Sequence, residues 1–178
     1  MKRVVRYGGI AVVVLVGAVA IAAAVGLLLP RRHVAATSAL LHRPVGEVWL
    51  AITDIGSQPT WRSDLVAAEP LPPHDGRAVW LQRTDMGDWP LELTELRMPS
   101  VMVATVADSS QGFGGTWTYQ LVSEGVNTRL VITEHGYIDS PLFRFLARFV
   151  FGLHGSQETY LRDLGRHFGE TTTPKREH

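Results

Sequence analysis

The feature that most constrains this sequence is the unit formed by residues 128–168. Apolar and polar residues alternate over 128–137, a pattern typical of a strand with one buried face. A turn through 139–141 follows, and apolar residues then recur at helical spacing as far as Phe168. One long helix after a run of strands favours a sheet folded around that helix, an arrangement that encloses an apolar cavity.

The N-terminal segment has a different composition. Residues 8–29 are 22 uncharged residues, mostly Val, Ala, Leu, Ile and Gly, flanked by Lys and Arg on both sides. Because about 20 apolar residues span a bilayer as a helix, we predict a membrane anchor over 1–32 with a transmembrane helix at 8–29. A cleaved signal peptide, with an apolar core of roughly 7–15 residues, and a buried helix are the alternatives. The balance of basic charge favours an extracytoplasmic domain.

Charge and composition exclude several kinds of partner and site. All 17 acidic residues lie beyond residue 32, whereas five of the 17 basic residues precede residue 33, which leaves residues 33–178 with a net charge of −5. Nucleic-acid binding requires a basic surface, so we expect none. The chain has no cysteine, and its seven histidines show no metal-binding spacing. We therefore predict neither a metal nor a cofactor.

The remaining segments predict a meander of strands between two helices. A helix is expected over 45–54, with Pro44 before its first turn. Strands are expected at 33–42, 65–71, 77–84, 89–97, 101–107, 116–122 and 128–137. A closing helix is expected over 141–168, with Ser140 as its N-cap. Gly152 and Gly155 inside that helix suggest a bend or a close contact, and residues 171–178 are expected to be disordered.

Several motifs give the chain a resemblance to a known family. Pro44 and the Val-Gly-Glu-Val-Trp that follows it look like an opening "P-x-x-x-V-W" helix. Trp61 lies where an aromatic usually follows a second short helix. Residues 115–119 and 128–134 are similar to the last two strands, and residues 141–146 to the start of the closing helix. From about residue 33 to residue 170 the chain resembles the SRPBCC (START-like, helix-grip) superfamily, in particular its polyketide cyclase/dehydrase-type branch.

The resemblance implies an α+β helix-grip fold, with a curved antiparallel sheet of six to seven strands around a long C-terminal helix. It also implies a cavity for a hydrophobic small molecule or lipid between sheet and helix. The family includes carriers, receptors and cyclases, and a shared fold does not fix function. The resemblance supplies no catalytic triad, and the sequence does not indicate an oligomeric state.

Two ionisable residues are candidates for acid–base chemistry. Glu134 shares a strand face with Leu130 and Ile132, so it is expected to point into the cavity, where burial raises a carboxyl pKa. The alternative is a solvated or ion-paired carboxylate at the strand end. His154 lies between the two glycines of the closing helix and could act near neutral pH. The alternative is a partly exposed helix histidine with no chemical role.

Aromatic residues are the other candidates for the ligand site. Ligand pockets are mostly apolar, although aromatics also dominate ordinary cores. With Glu134 and His154, the predicted ligand-binding residues are Trp61, Trp80, Trp117, Tyr119, Phe149 and Tyr160. Trp117 and Tyr119 share one strand face and are the strongest of these candidates. The glycine-rich segment 111–115 is interpreted as a hinge over the cavity mouth.

Three functions remain open at this stage. The first is a membrane-anchored domain that binds a hydrophobic small molecule or lipid. The second is a cyclase/dehydrase-type enzyme with Glu134 or His154 as general acid or base. The third is an interaction scaffold that uses exposed aromatics of the closing helix, such as Phe143 and Phe151, to contact lipid or a partner chain.

Overall fold

The computed structural model describes residues 2–85, 87–106, 110 and 112–177, with side chains from residue 12 onward. Helix α1 (Lys2–Leu28) precedes strand β1 (Arg32–Leu41), helix α2 (Val45–Thr53) and a 3₁₀ helix (Ile55–Thr60). Six strands follow: β2 (Ala67–His74), β3 (Arg77–Thr84), β4 (Gly87–Arg97), β5 (Val101–Val106), β6 (Phe113–Glu124) and β7 (Asn127–Ile138). The chain ends with helix α3 (Pro141–Leu146), a π-helical turn (Ala147–Phe151), helix α4 (Gly155–His167) and strand β8 (Lys175–Glu177).

The strands form one antiparallel sheet with the order β2-β3-β4-β5-β6-β7-β1-β8. Strands β2 to β7 are a meander joined by short turns, and β1 pairs with β7 over its whole length. Register shifts near Leu71 and Leu93 mark β-bulges, which bend a strand locally. The predicted α+β helix-grip architecture is therefore confirmed, with a sheet of eight strands.

The C-terminal tail differs from its prediction. Residues 171–178 are expected to be disordered, yet Lys175–Glu177 pair with Ala36–Ser38 of β1 as the eighth strand. Ser38 Oγ donates a hydrogen bond of 2.6 Å to Glu177 Oε1. The tail covers backbone groups at the open edge of β1, which otherwise would remain unpaired.

The closing helix is broken rather than continuous. Ser140 caps it as predicted, because its Oγ accepts a hydrogen bond from the Phe143 amide. Helix α3 then loosens into the π-helical turn, and Gly152 adopts a φ of 77° that glycine tolerates and other residues rarely do. Helix α4 starts afresh at Gly155. The bend suggested by the two glycines is thus a break, and α4 alone packs its apolar face on the sheet.

The main core lies between the sheet and helices α2 and α4. Its side chains come from both helices and from the facing strands, and they are almost fully excluded from solvent. Fully buried members include Leu41, Val48, Ile52, Leu130, Leu161 and Leu164. Full burial of such a side chain stabilises a fold by roughly 1.5–3 kcal/mol, so this cluster holds α2 and α4 against the sheet.

The predicted membrane anchor is wrong. Across the part of the chain that the structure describes, no helix is both long and apolar enough to cross a membrane. The C-terminal end of α1 packs on α3, where Gly26 lies so close to the Pro141 carbonyl that a Cβ would have no room. Arg144 Nη1 also donates a 2.7 Å hydrogen bond to the Leu29 carbonyl. These contacts attach the end of α1 to the rest of the protein. The predicted single-pass membrane localisation through residues 8–29 is therefore wrong as well.

Candidate functional site

A cavity lies between the concave face of the sheet, helix α4 and the segment after the 3₁₀ helix. Its volume is about 170 Å³, and it is partly open to solvent. The lining combines apolar side chains, mostly from the strands, with polar side chains from the strands, the helices and the loop. Its lining residues include Gln58, Arg62, Asp64, Gln82, Ala104, Trp117, Tyr119, Glu134, Gln157 and Tyr160.

Strand register explains how residues distant in sequence meet on this wall. Glu134 of β7 lies opposite Ala35 of β1 on one side and Trp117 of β6 on the other. Trp117 in turn lies opposite Ala104 of β5. Residues in such a row project from the same face of the sheet. The row therefore places the Glu134 carboxyl group next to the Trp117 indole, with the small Ala104 on the other side of Trp117.

Glu134 is buried, and two side chains hold its carboxyl group in place. Its Oε1 lies 3.0 Å from His33 Nε2, and its Oε2 lies 3.5 Å from Gln157 Nε2. The Gln157 amide also donates to the Ala35 carbonyl at 3.0 Å, which fixes its orientation. Gly136 makes room for this arrangement, because a Cβ there would lie 2.5 Å from His33 Cε1 and 2.8 Å from Glu134 Oε1.

A second polar group faces the cavity from the loop after the 3₁₀ helix. Arg62 donates to both carboxylate oxygens of Asp64, at 3.0 and 2.6 Å, and to Gln58 Oε1 at 2.9 Å. Its guanidinium carbon lies 5.2 Å from the centre of the Tyr160 ring, a cation–π distance. Because arginine stays protonated in proteins, this wall carries a fixed positive charge compensated by Asp64.

Two tyrosines line the cavity as neutral hydrogen-bonding groups. Burial raises the pKa of the Tyr119 phenol to about 12, and burial raises the pKa of Tyr160 well above its usual value. Their rings are in contact, with centroids 5.4 Å apart. Both phenols therefore keep their protons at neutral pH and can donate a hydrogen bond to a bound molecule.

Three polar atoms on the cavity lining are buried without a hydrogen-bond partner in the described structure: Gln82 Nε2, Gln157 Oε1 and the Tyr160 hydroxyl. Leaving such a group unpaired costs about 1–3 kcal/mol. One of the three is an acceptor, one is a donor, and the hydroxyl can serve as either. A molecule with both donor and acceptor groups would satisfy them.

The sequence-predicted site residues separate into two groups. Trp117, Tyr119, Glu134 and Tyr160 line the cavity. Trp61 packs edge-on against Tyr160 behind the lining, at 5.3 Å between centroids. Trp80 packs near Gly56 on the core side. Phe149 is 59% exposed on the π-helical turn and does not line this cavity.

His154 also lies outside the cavity lining. It is the residue before α4, and its Nδ1 makes a 3.1 Å hydrogen bond with Thr37 Oγ1 of β1. This contact ties the start of α4 to the sheet. The structure therefore gives His154 a contact with β1 and no place among the residues that line the cavity.

The predicted hinge at 111–115 is only partly described. Gln111 lies outside the described residues, and β6 already begins at Phe113. Gly115 pairs with Gly136 of β7, and a Cβ on Gly115 would lie 2.6 Å from the His135 carbonyl oxygen. The glycines at 114 and 115 therefore belong to a closely packed pair of strands rather than to a hinge.

Part of the polar lining is not predicted by the sequence, although Tyr119, Glu134 and Tyr160 are. Arg62 and Asp64 lie in a loop, where no periodic pattern marks them. Gln82 and Gln157 belong to no recognisable motif. His33 was assigned only to a strand, because its partner Glu134 is 101 residues away. Among the residues the structure describes, no group of three or more His, Asp or Glu could hold a metal ion.

No family model and no curated protein matches the sequence. Solved structures do match the fold. A START superfamily protein from Mycobacterium smegmatis superimposes with a TM-score of 0.62 at 12% identity, over 76% of this chain and 96% of that one. The Zhui aromatase/cyclase from a Streptomyces species gives 0.59 at 13%, over 75% and 91%. A norcoclaurine synthase from Thalictrum flavum gives 0.61 at 7%, over 77% and 93%.

The fold and its cavity thus define a class. The chain has the START-like helix-grip fold, and its structural neighbours include polyketide aromatase/cyclases. At these identities the likeness concerns the fold alone. What the cavity holds has to be argued from the side chains of this chain.

Proposed function

We propose that this protein binds a small amphipathic molecule in the cavity between the sheet and α4. The observation that carries the proposal is the set of buried, unpartnered polar atoms on the lining, namely Gln82 Nε2, Gln157 Oε1 and the Tyr160 hydroxyl. A cavity that only filled out the fold would be lined by apolar groups and could stay dry. These polar atoms favour a ligand, because each gains a hydrogen bond only when something occupies the space.

Cavity size limits the ligand. Drug-sized ligands occupy pockets of roughly 300–1,000 Å³, whereas an engineered cavity of about 150 Å³ holds benzene. At about 170 Å³ the cavity suits one or two rings, or a short chain that extends through the opening. We therefore favour a small ring compound with hydroxyl or carbonyl groups, and not a lipid with its whole acyl chain enclosed.

Binding can be tested with two matched probes, naphthalene and 2-naphthol, followed by tryptophan fluorescence. Trp117 lines the cavity, so a bound ring should change its emission. We expect saturable binding of both probes. The affinity for 2-naphthol should be about tenfold higher, because its hydroxyl adds one hydrogen bond worth roughly 1.4 kcal/mol, which corresponds to a tenfold change in affinity. Trp117→Phe should remove most of the signal. Absence of saturable binding for both probes would contradict the proposal.

A second candidate function is acid–base catalysis on the bound molecule. The observation that favours it is the buried Glu134 carboxylate, hydrogen-bonded to His33 beside two neutral phenols. In this mechanism Glu134 removes a proton from a carbon next to a carbonyl. The electron pair of the C–H bond forms a C=C bond, and the π pair of the carbonyl moves onto its oxygen. A Tyr119 or Tyr160 hydroxyl donates a hydrogen bond to the resulting enolate.

Proton exchange tests this candidate without knowledge of the natural substrate. In D₂O, the α-protons of 2-tetralone should exchange faster with the protein than in buffer alone, as followed by NMR. Glu134→Gln keeps the shape and removes the base, so it should abolish the enhancement while 2-naphthol still binds. An exchange rate equal to that of buffer would exclude this chemistry for such ketones and leave the binding proposal intact.

A further inference from the structure

A second cavity lies between the end of α1, the start of β1 and the α3 region, and His33, the partner of Glu134, lines it. Its volume is about 340 Å³, twice that of the first cavity. Four arginines (Arg31, Arg32, Arg144 and Arg148) and His33 line it, and no acidic side chain does. This is a local concentration of positive charge on a chain whose formal net charge is zero.

The positive charge is only partly compensated. Arg31 forms an ion pair with Asp139, which lies just outside the lining. Arg144 donates to two backbone carbonyls, those of Leu29 at 2.7 Å and Asp139 at 3.3 Å, and its buried Nε has no partner in the described structure. Backbone carbonyls carry no formal charge, so the guanidinium of Arg144 stays uncompensated there.

Two further arginines strengthen the field. Arg32 and Arg148 are exposed, and neither forms an ion pair with any residue that the structure describes. Arginines that converge on one concave space without carboxylates repel one another, and an anion placed among them relieves that repulsion. Planar guanidinium groups bind phosphate and carboxylate oxygens in pairs, which gives both strength and geometry.

The rest of the lining is apolar. Leu29, Val34, Ile138, Ala147 and Leu153 line the same space between the arginines. A site for a free inorganic ion needs no such wall. A cationic rim over an apolar wall fits a molecule with an anionic head and a short hydrocarbon tail.

The cavity is held together by fixed contacts. The Ile138 amide donates a 2.9 Å hydrogen bond to the Arg31 carbonyl, which attaches the start of β1 to the end of β7. Gly26 of α1 packs directly on the Pro141 backbone at the start of α3. The walls are therefore positioned before any ligand arrives, which lowers the entropic cost of binding.

We propose that this second cavity binds an amphipathic anion, with a phosphate or carboxylate head among Arg32, Arg144 and Arg148 and a hydrocarbon tail along the apolar wall. The proposal is independent of the function proposed for the first cavity. The same head-group chemistry occurs in free phosphate and in an alkyl phosphate, and the probes below separate these two sources.

Isothermal titration of the full chain with monomeric decyl phosphate, inorganic phosphate and decyl maltoside tests the site. We expect one saturable site for decyl phosphate, weaker binding of inorganic phosphate and none of the uncharged decyl maltoside. Equal affinity for the two phosphates would support an anion site and overturn the role given to the tail. Saturable binding of decyl maltoside with equal affinity would overturn the role given to the arginines.

The double variant Arg32→Gln with Arg148→Gln removes two exposed charges that make no ion pair, so folding should be unaffected. Its affinity for decyl phosphate should fall at least about tenfold, the scale of one lost charge-assisted contact. The control is Arg97→Gln with Arg129→Gln, which removes the same amount of charge from two arginines elsewhere on the sheet that form surface ion pairs with Glu95 and Glu124. Equal affinities in the two double variants, or no binding of either phosphate by the unaltered protein, would contradict the proposal.

Discussion

Helix α4 and the strands it crosses have a packed end and an open end. At the packed end, Leu161 and Leu164 of α4 meet Leu130 of β7 with no solvent exposure. One turn earlier in the helix, Gln157 and Tyr160 face the cavity. The strands change character in the same direction, since β7 passes from Leu130 to Glu134.

The contrast separates what stabilises the fold from what makes the site. At the packed end the side chains are in van der Waals contact with one another, and this packing is sufficient to hold α4 on the sheet. The open end keeps polar atoms buried without partners, which costs stability. Residues that lower stability and are retained within a well-packed framework are typical of a binding site.

The packed end should be sensitive to loss of volume. Leu161→Ala removes a fully buried side chain and leaves a cavity, so the free energy of unfolding should fall by about 2–5 kcal/mol. Urea denaturation followed by circular dichroism measures it. Tyr160→Phe, at the adjacent position, is the matched control, because it removes only an unpartnered hydroxyl. Similar losses for both variants would contradict the division.

The two ends should also respond in opposite ways to added volume. Ala39 lies in the packed core at 2% exposure, and Ala104 lines the cavity at 1%. Ala39→Leu should overpack the core and cost about 1–3 kcal/mol. Ala104→Leu should fill vacant space and leave the free energy of unfolding almost unchanged. A large destabilisation by Ala104→Leu would mean that the cavity is not available space.

The Tyr160 hydroxyl should contribute to binding and not to stability. Since it has no partner in the described structure, Tyr160→Phe should leave the free energy of unfolding unchanged or slightly raised. Affinity for 2-naphthol should fall about tenfold, and affinity for naphthalene should not change. Titration of both probes against this variant checks the prediction. Equal losses for the two probes would show that the ring, and not the hydroxyl, matters.

Alkaline titration gives a smaller effect that is specific to the open end. The pKa of Tyr119 is raised to about 12 and that of Tyr160 is also raised, both by burial. An unfolded tyrosine titrates near pH 10, so the folded state binds more protons above that pH. Stability should therefore be intact below about pH 10 and fall as pH rises toward about 12.

Ultraviolet absorbance of phenolate follows this titration directly. The component that titrates late should shrink in Tyr119→Phe and again in the double variant with Tyr160→Phe. Loss of the late component only on unfolding would agree with burial as its cause. If all tyrosines of the unaltered protein titrated near pH 10, the cavity tyrosines would not be buried donors.

The sequence predicts most of the packed end and only half of the open end. Alternation in β7 places Leu130 and Glu134 on one face of the strand, and helical spacing places Leu161 and Leu164 on one face of α4. The sequence predicts both placements because they depend only on local geometry. The Glu134–His33 pair depends on strand register across 101 residues, which no local pattern encodes. Arg62 lies in a loop, where a polar residue is the ordinary expectation.

Two errors have a similar origin. The continuous closing helix was inferred from an apolar stripe that extends across Gly152, but the positive φ there starts a new helix with a different rotation. Phe149 is a candidate because it belongs to that stripe, and His154 is a candidate because it lies between Gly152 and Gly155, but neither lines the cavity. The membrane anchor is predicted from the length and composition of residues 8–29, and neither of these encodes the contacts that attach α1 to α3.

The central claim is that the open end is a ligand site in which space and polar groups act together. The most direct measurement is calorimetric titration of 2-naphthol into the unaltered protein and into Ala104→Leu, under conditions in which the two proteins are equally stable. We predict one saturable site in the unaltered protein and no detectable binding in the variant, because leucine at position 104 occupies cavity space beside Trp117. Equal binding by both proteins, or no binding by either, would contradict the claim.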